Sequence, residues 1–261
     1  MNARAVVVIG VCAAVVVGCL FPGLGGLEGP GDAGAASDGA ADGGQEGGFC
    51  ASAGQHTLCL DFDESTAVAQ YGQLNTNGGA MLTVDGTSWT SPPQALSVSV
   101  LSGAYGSAHV DNTFPVVPGK LTASFQLQDV AAGNGPKLKP LTVSFSNNGT
   151  IRYQVAVEAY KTSLKVEEGF VGTDAGTPYV EKGTYPITWD PTKYYRIDLD
   201  ITFGTTRSLT VNVNGALAIA ATLDARAFAA PVTIQVGTTY SDPDTTMRNL
   251  RIDDVLFDVS P

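Results

Sequence analysis

The chain has 261 residues, 44% of them apolar and only 15% charged, with a formal net charge of −11. That acidity, without any run of Lys or Arg, removes the electrostatic footprint that nucleic acid needs and gives no charge attraction to anionic lipid. Four cysteines and two histidines do not complete a four-ligand zinc set, since Cys12 and Cys19 belong to the N-terminal segment.

Residues 1–18 carry one cation at Arg4 and then an apolar run from Ala5 to Val17. The run is shorter than the roughly 20 residues a spanning helix needs, and its layout is that of a signal peptide. Its end, Val16-Val17-Gly18-Cys19, resembles the lipobox of bacterial lipoproteins. The resemblance implies diacylglycerol on the Cys19 thiol, cleavage just before it and acylation of the new amino terminus. Several acyl chains on one residue make a stable membrane anchor. Leu20, where retained inner-membrane lipoproteins usually carry Asp, implies the outer membrane of a Gram-negative cell envelope.

Residues 19–48 follow as an acidic, Gly- and Ala-rich segment with no cation and no β-branched residue. Such a composition cannot bury enough surface to fold. As a Gly-rich coil it would span roughly 30 Å, which makes it a tether.

From Phe49 to Pro261 the sequence is long enough for one domain with a sizeable core. Cys50 and Cys59 frame a short loop at its start and, in an oxidising compartment, read as a disulfide. Apolar residues then recur at every second position: Leu58, Leu60 and Phe62; Leu96, Val98 and Val100; Leu121, Ala123, Phe125 and Leu127; Leu141, Val143 and Phe145. The series continues through Ile151–Val157, Ile197–Phe203, Leu209–Val213 and Val232–Val236. Period two marks half-buried strands, and the only helical candidate is a turn around Asp224 to Phe228.

Asn147-Asn148-Gly149 and Asn214-Gly215 lie between such rows and predict hairpins with positive-φ turns. In the last segment Leu250 and Ile252 stand at even positions, whereas Val255, Phe257 and Val259 stand at odd ones. The one-residue change of phase predicts a bulge at Asp253-Asp254. The fold class is therefore all-β, an antiparallel two-sheet sandwich.

Cys59-Leu60-Asp61-Phe62-Asp63, Trp189 followed by YYRIDLDITF and LTVNVNG, and the closing IDDVLFD resemble the concanavalin A-like jelly-roll domains. That superfamily includes legume lectins, laminin G-like modules and family 16 glucanases. The likeness extends in layout over most of residues 56–259 and implies a jelly-roll domain. The glucanases carry a Glu-x-Asp-x-Glu strand for retaining hydrolysis. No such strand occurs here, Asp198-x-Asp200 lacks the third acid, and Glu158 and Glu167-Glu168 stand alone in their strands. A Gly-x-Ser-x-Gly elbow, a His-Glu-x-x-His helix and a Walker loop are missing too.

Two sets of residues are candidate sites. Tyr194, Arg196, Asp198 and Asp200 share the polar face of one strand, and Arg152, Gln154, Glu158 and Tyr160 that of its expected sheet neighbour. Together they would line a polar concave surface suited to paired hydrogen bonds with sugars, with Trp89 as an exposed stacking ring. The competing reading is a solvated face with cross-strand charge pairs. Trp189, before Asp190-Pro191, is expected to plug one end of the sandwich.

For the second set, the resemblance implies a structural calcium ion between first and last strands. Asp61, Asp63, Asp253, Asp254 and Asp258 would supply hard oxygen ligands, unless they are ordinary surface acids. The leading expectation is a surface-anchored, non-catalytic glycan-binding or adhesion module whose partner is a polysaccharide or a cell-envelope protein. A structural or protein-interaction envelope lipoprotein is the rival, and a divergent glycoside hydrolase or lyase the third reading.

Overall fold

The computed structural model describes residues 48–261, apart from 132, 136, 148–150, 172–178 and 225–228. The signal segment, Cys19 and the tether lie outside the described residues, as do the turn at 148–150 and all of the expected Asp224–Phe228 helical turn but its first residue.

A short helix, α1 (Phe49–Ala53), opens the described chain, and fifteen strands follow. The first seven are β1 (Leu58–Leu60), β2 (Gln73–Gly78), β3 (Ala80–Asp85), β4 (Ala95–Val100), β5 (Gly106–Phe114), β6 (Lys120–Asp129) and β7 (Leu138–Asn147). Then come β8 (Ile151–Tyr160), β9 (Ser163–Val171), β10 (Val180–Pro186) and β11 (Tyr195–Phe203). The series ends with β12 (Arg207–Val213), β13 (Ala216–Thr222), β14 (Ala229–Ser241) and β15 (Arg248–Ser260). One sheet runs β13-β12-β11-β6-β15-β4-β3, with β1 also on β15, and the other runs β10-β9-β8-β7-β14-β5-β2. Every pairing is antiparallel. The two-sheet sandwich read from alternation is the fold.

The alternating residues form its core. Leu96, Val98, Phe125, Leu127, Ile197, Leu199 and Phe257 from the eight-stranded sheet meet Val110, Val143, Phe145, Val155, Ile234 and Val236 from the seven-stranded one, all buried. Each such side chain contributes about 1.5–3 kcal/mol by leaving water. Phe145 and Phe203 cross between the sheets edge to face, 5.1 Å apart. At one end Arg248, wholly buried, donates from Nη2 to Asp129 at 2.6 Å and from Nη1 to the Ala159 carbonyl at 2.8 Å. One guanidinium thereby ties β15 and β6 to β8 of the opposite sheet.

The bulge is where the phase change placed it. β15 keeps register with β6 up to Asp253↔Gln126 and resumes at Leu256↔Ser124, so one residue is extra. Asp254 takes a φ of +51° there, and Ile252 and Val255 both reach the core. The Asn214-Gly215 turn has φ of +51° and +79°, the two positive values a type I′ hairpin needs. A second irregularity between Val211 and Asn212 sends Leu217 into solvent while Ile219 stays in the core. Cys50 and Cys59 are disulfide-bonded, and Cys59, alternating with core-facing Leu58 and Leu60, pins α1 to the outer side of β1. β1 pairs with β15, so first and last strands do meet.

Strands β2, β5, β9 and β10 carry no unbroken apolar row of three at period two, and the row Ala80, Leu82 and Val84 in β3 went unread. Partner strands decide them. Residues 45–261 form one compact unit.

Candidate functional site

The structure separates the two polar rows expected to adjoin. β11, with Arg196, Asp198 and Asp200, pairs with β6 and β12 in the eight-stranded sheet. β8, with Arg152, Gln154 and Glu158, pairs with β7 and β9 in the other. Both rows point away from the core, so they lie on opposite outer faces and cannot share a surface. The misassignment has a topological cause: strands with matching patterns need not be neighbours, and alternation reports a face, not a partner.

On the eight-stranded sheet the row is an open ion-pair surface. Arg196 Nε donates to Asp198 at 2.8 Å, Lys120 meets Asp200 at 2.7 Å, and His56 meets Asp258 at 2.6 Å. Tyr194 donates to the Ser88 carbonyl, which sets it beside the loop that carries half-exposed Trp89, so Trp89 belongs to this sheet's end. Trp189 is buried, donates from Nε1 to the Tyr160 carbonyl and packs edge-on against Tyr195; it is the end plug the sequence suggested.

The seven-stranded sheet's outer face is a cleft. Its floor is one cross-strand row, Asp111, Gln235, Thr142, Ala156 and Glu167, running over five strands from β5 to β9. Thr142 and Ala156 at the centre keep the floor low. Next to it Gln154 stands opposite Gly169, where a Cβ would come 2.6 Å from the Tyr179 ring. Glycine there lets Tyr179 lie down on the sheet and donate its hydroxyl to Gln154 Oε1. A cavity of about 660 Å³ lined by Lys139, Tyr179, Gln154 and Tyr240 leads into another of about 430 Å³ lined by Asn75, Asn77 and Asp111. His109, Arg152 and Gln235 border both, making one trough.

Charges in this cleft are sequestered. Lys139 Nζ lies 2.9 Å from Glu167 and 3.7 Å from the centre of the Tyr179 ring. Lys137 reaches Glu158 at 3.7 Å and Asp242 at 3.6 Å. Burial, and then the Glu167 carboxylate, raise Glu158 above the ordinary range. Burial also works to raise Glu167, but Lys139 and Lys137 overcome it and hold that group low. Burial lowers His109 against the pull of Asp111, 3.3 Å away, and of the Thr238 carbonyl.

Two groups in the trough have hydrogen-bonding capacity left over. Gln235 donates to Asp111 at 3.0 Å, but its buried Oε1 has no partner among the described residues. Arg152 is exposed at the meeting point of the two cavities, and no carboxylate among the described residues forms an ion pair with it.

Of the residues expected from the sequence, Arg152 and Gln154 line the trough, Glu158 lies beside it against Lys137, and Tyr160 stands at the same strand's end, where Lys165 approaches its ring. Sequence reasoning missed His109, Lys139, Tyr179, Gln235 and Tyr240, and it left Glu167 without a partner. Gln235 had a signal, as the one long polar side chain alternating with Val232, Ile234 and Val236. Tyr179 had none, since it precedes its strand.

The acids divide differently from expectation. β1 and β4 lie end to end along β15, and Asp61, Asp63, Asp253 and Asp254 gather at their junction. Asp253 Oδ2 accepts the Thr90 and Ser91 N–H groups, Asp254 accepts the Ser91 hydroxyl, and Asp61 Oδ2 accepts the Cys50 N–H. Asp258 is not part of the group, because it is taken by His56 and the Thr57 N–H. Asp61 Oδ1 and Asp63 Oδ2 are buried without partners among the described residues. Burial, with neighbouring Asp61, Glu64 and Asp254, raises Asp63 to about 6, and burial with Asp254 raises Asp253 to about 7. Two orphaned oxygens among like charges are the donor chemistry calcium prefers. Among the described residues, though, no three His, Cys, Asp or Glu side chains are grouped to hold a metal ion.

No family model matches this chain, and no curated protein matches it in sequence. In fold it is similar to an endo-beta-1,4-glucuronan lyase from the fungus Trichoderma reesei, with a TM-score of 0.59 at 12% identity over 79% of this chain and 96% of that one. It is similar also to the cellulose induced protein Cip1, with a TM-score of 0.54 at 10% identity over 78% of this chain and 97% of that one. At such identities the likeness is one of architecture.

Proposed function

We propose that this chain is a glycan-binding module presented from the cell envelope, and that a polysaccharide lies in the trough across its seven-stranded sheet. The observation that carries the reading is the trough itself, where the exposed Arg152 guanidinium forms no ion pair among the described residues and the buried Gln235 Oε1 has no hydrogen-bond partner among them. A guanidinium open to solvent suits the carboxylate of an acidic sugar, which it can hold by two parallel hydrogen bonds. An orphaned amide oxygen suits a sugar hydroxyl, since leaving it unpaired costs about 1–3 kcal/mol. The glucuronan lyase of similar fold acts, by its name, on a polymer of acidic sugars. Anchoring through acylated Cys19 and the flexible tether, at the outer membrane, belongs to the same proposal and rests on the lipobox resemblance. Calcium at the Asp61–Asp63–Asp253–Asp254 junction belongs to it too, resting on the two orphaned oxygens.

A glycan array probed with residues 45–261, and including glucuronan, alginate and cellulose, tests the cleft. We expect binding to an acidic polymer, reduced about 10- to 100-fold by Arg152→Ala, the equivalent of about 1.5–3 kcal/mol for a charge-assisted bond. The melting temperature should not move. Lack of binding to every polysaccharide would discard the reading in favour of a structural or protein-binding lipoprotein. Replacing Cys19 with Ser should release the protein in soluble form, and continued membrane association would refute the anchor.

One observation favours a lyase as second reading. His109 borders both parts of the trough, burial favours its neutral form, and elimination from a uronate needs a base for the proton beside the carboxylate. Unsaturated, ultraviolet-absorbing product from glucuronan would establish that reading, whereas binding without product leaves a non-catalytic module.

A further inference from the structure

The cleft wall continues past Tyr240. Tyr105, just before β5, is 64% exposed, and its ring lies 6.4 Å from that of Tyr240 at an interplanar angle of 46°. Neither ring is part of the core. The Tyr240 ring and the backbone beneath Tyr105 are nonetheless held in place. The Tyr240 hydroxyl donates to Asp242 at 2.7 Å, Asp242 is paired with Lys137, and the Lys137 and Lys139 ammonium groups lie 5.6 Å and 5.8 Å from its ring centre. The Tyr105 carbonyl accepts the Gly79 N–H. Gly78, at φ +65°, packs so tightly on that carbonyl that a Cβ would collide with its oxygen.

Two exposed aromatic rings that adjoin a polar trough and lie outside the core are apolar surface open to a ligand. We infer that Tyr105 and Tyr240 extend the cleft as stacking platforms for further sugar units, so that its ligand is a chain running from Arg152 past Gln235 onto these rings. The inference rests on the cleft being a glycan site. A sugar ring has one apolar C–H face for an aromatic to cover. Rings inclined at 46° cannot both lie flat on one sugar, but they can serve successive units of a chain whose sugars turn relative to each other. The platform thus selects for length, while Arg152 selects for a carboxylate.

The full chain in detergent would be titrated with glucuronan oligosaccharides of two, four and six units, alongside cello-oligosaccharides of the same lengths. The wild type should bind the acidic series more tightly as length grows. Tyr105→Ala should lose about tenfold on the six-unit chain and nothing on the two-unit one, and it should melt unchanged because the side chain supports no core. Arg152→Ala should weaken every length. If Tyr105→Ala keeps the wild-type gain with length while Arg152→Ala loses binding, the aromatic extension is overturned and the cleft stands. If the wild type binds neither series, the cleft reading falls and takes the extension with it.

Discussion

The two outer faces of this sandwich carry the same kinds of residues and treat them oppositely. On the eight-stranded sheet the Arg196–Asp198 and Lys120–Asp200 pairs are open, with side-chain exposures of 56% and 29% in one, 51% and 40% in the other. On the seven-stranded sheet Lys139 and Glu167 retain 3% and 14%. The difference is not in the strands, which alternate alike. It comes from what lies over them: Tyr179, Tyr240 and Lys137, all outside the rows that sequence period picks out. A charged strand face becomes a site only when neighbouring segments wall it.

The contrast makes an energetic claim that can be broken. Lys139→Met removes the nearer partner of a buried pair and leaves Glu167 only Lys137, 4.0 Å away, so up to about 3–5 kcal/mol of stability should be lost, read as a lower denaturant midpoint. A loss below about 1 kcal/mol would mean that the cleft is as solvated as the opposite face.

A smaller effect is expected where the eight-stranded sheet does bury charge, at the acid junction. Asp253 titrates near 7 in the fold, above its ordinary 3.8. The folded state favours its protonated form, so the stability it contributes is complete below about pH 4 and is lost as the pH rises to 7. Melting followed from pH 4 to 8 in EDTA should show that decline, and Asp253→Asn should flatten it. Added calcium should raise the melting temperature at pH 7 and EDTA should lower it. A melt indifferent to both removes calcium from the proposal.

The least effect belongs to the open face. Arg196→Ala should change stability by no more than about 0.5 kcal/mol, because exposed pairs contribute little, and it should leave glycan binding intact. A binding defect there would move the site to the other sheet.

Much of this was legible before folding. The rows around Phe125, Phe145, Leu199 and Val236 marked the core, and the phase change between Ile252 and Val255 located the bulge to the residue. Both follow from the strict two-residue period of a strand, which makes inside and outside a local property. The Cys50–Cys59 bond was legible for a similar reason, as a short loop at the domain's entry.

What only the tertiary structure decided is which strands lie side by side. It set β8 and β11 in different sheets, joined Glu158 to Glu167, left Asp258 with His56 and gathered the remaining acids. It also laid Tyr179 over Gly169. Period two tells each residue its face, but strand order is chosen by the global packing of two sheets, and a binding trough exists only where several strands and their loops meet.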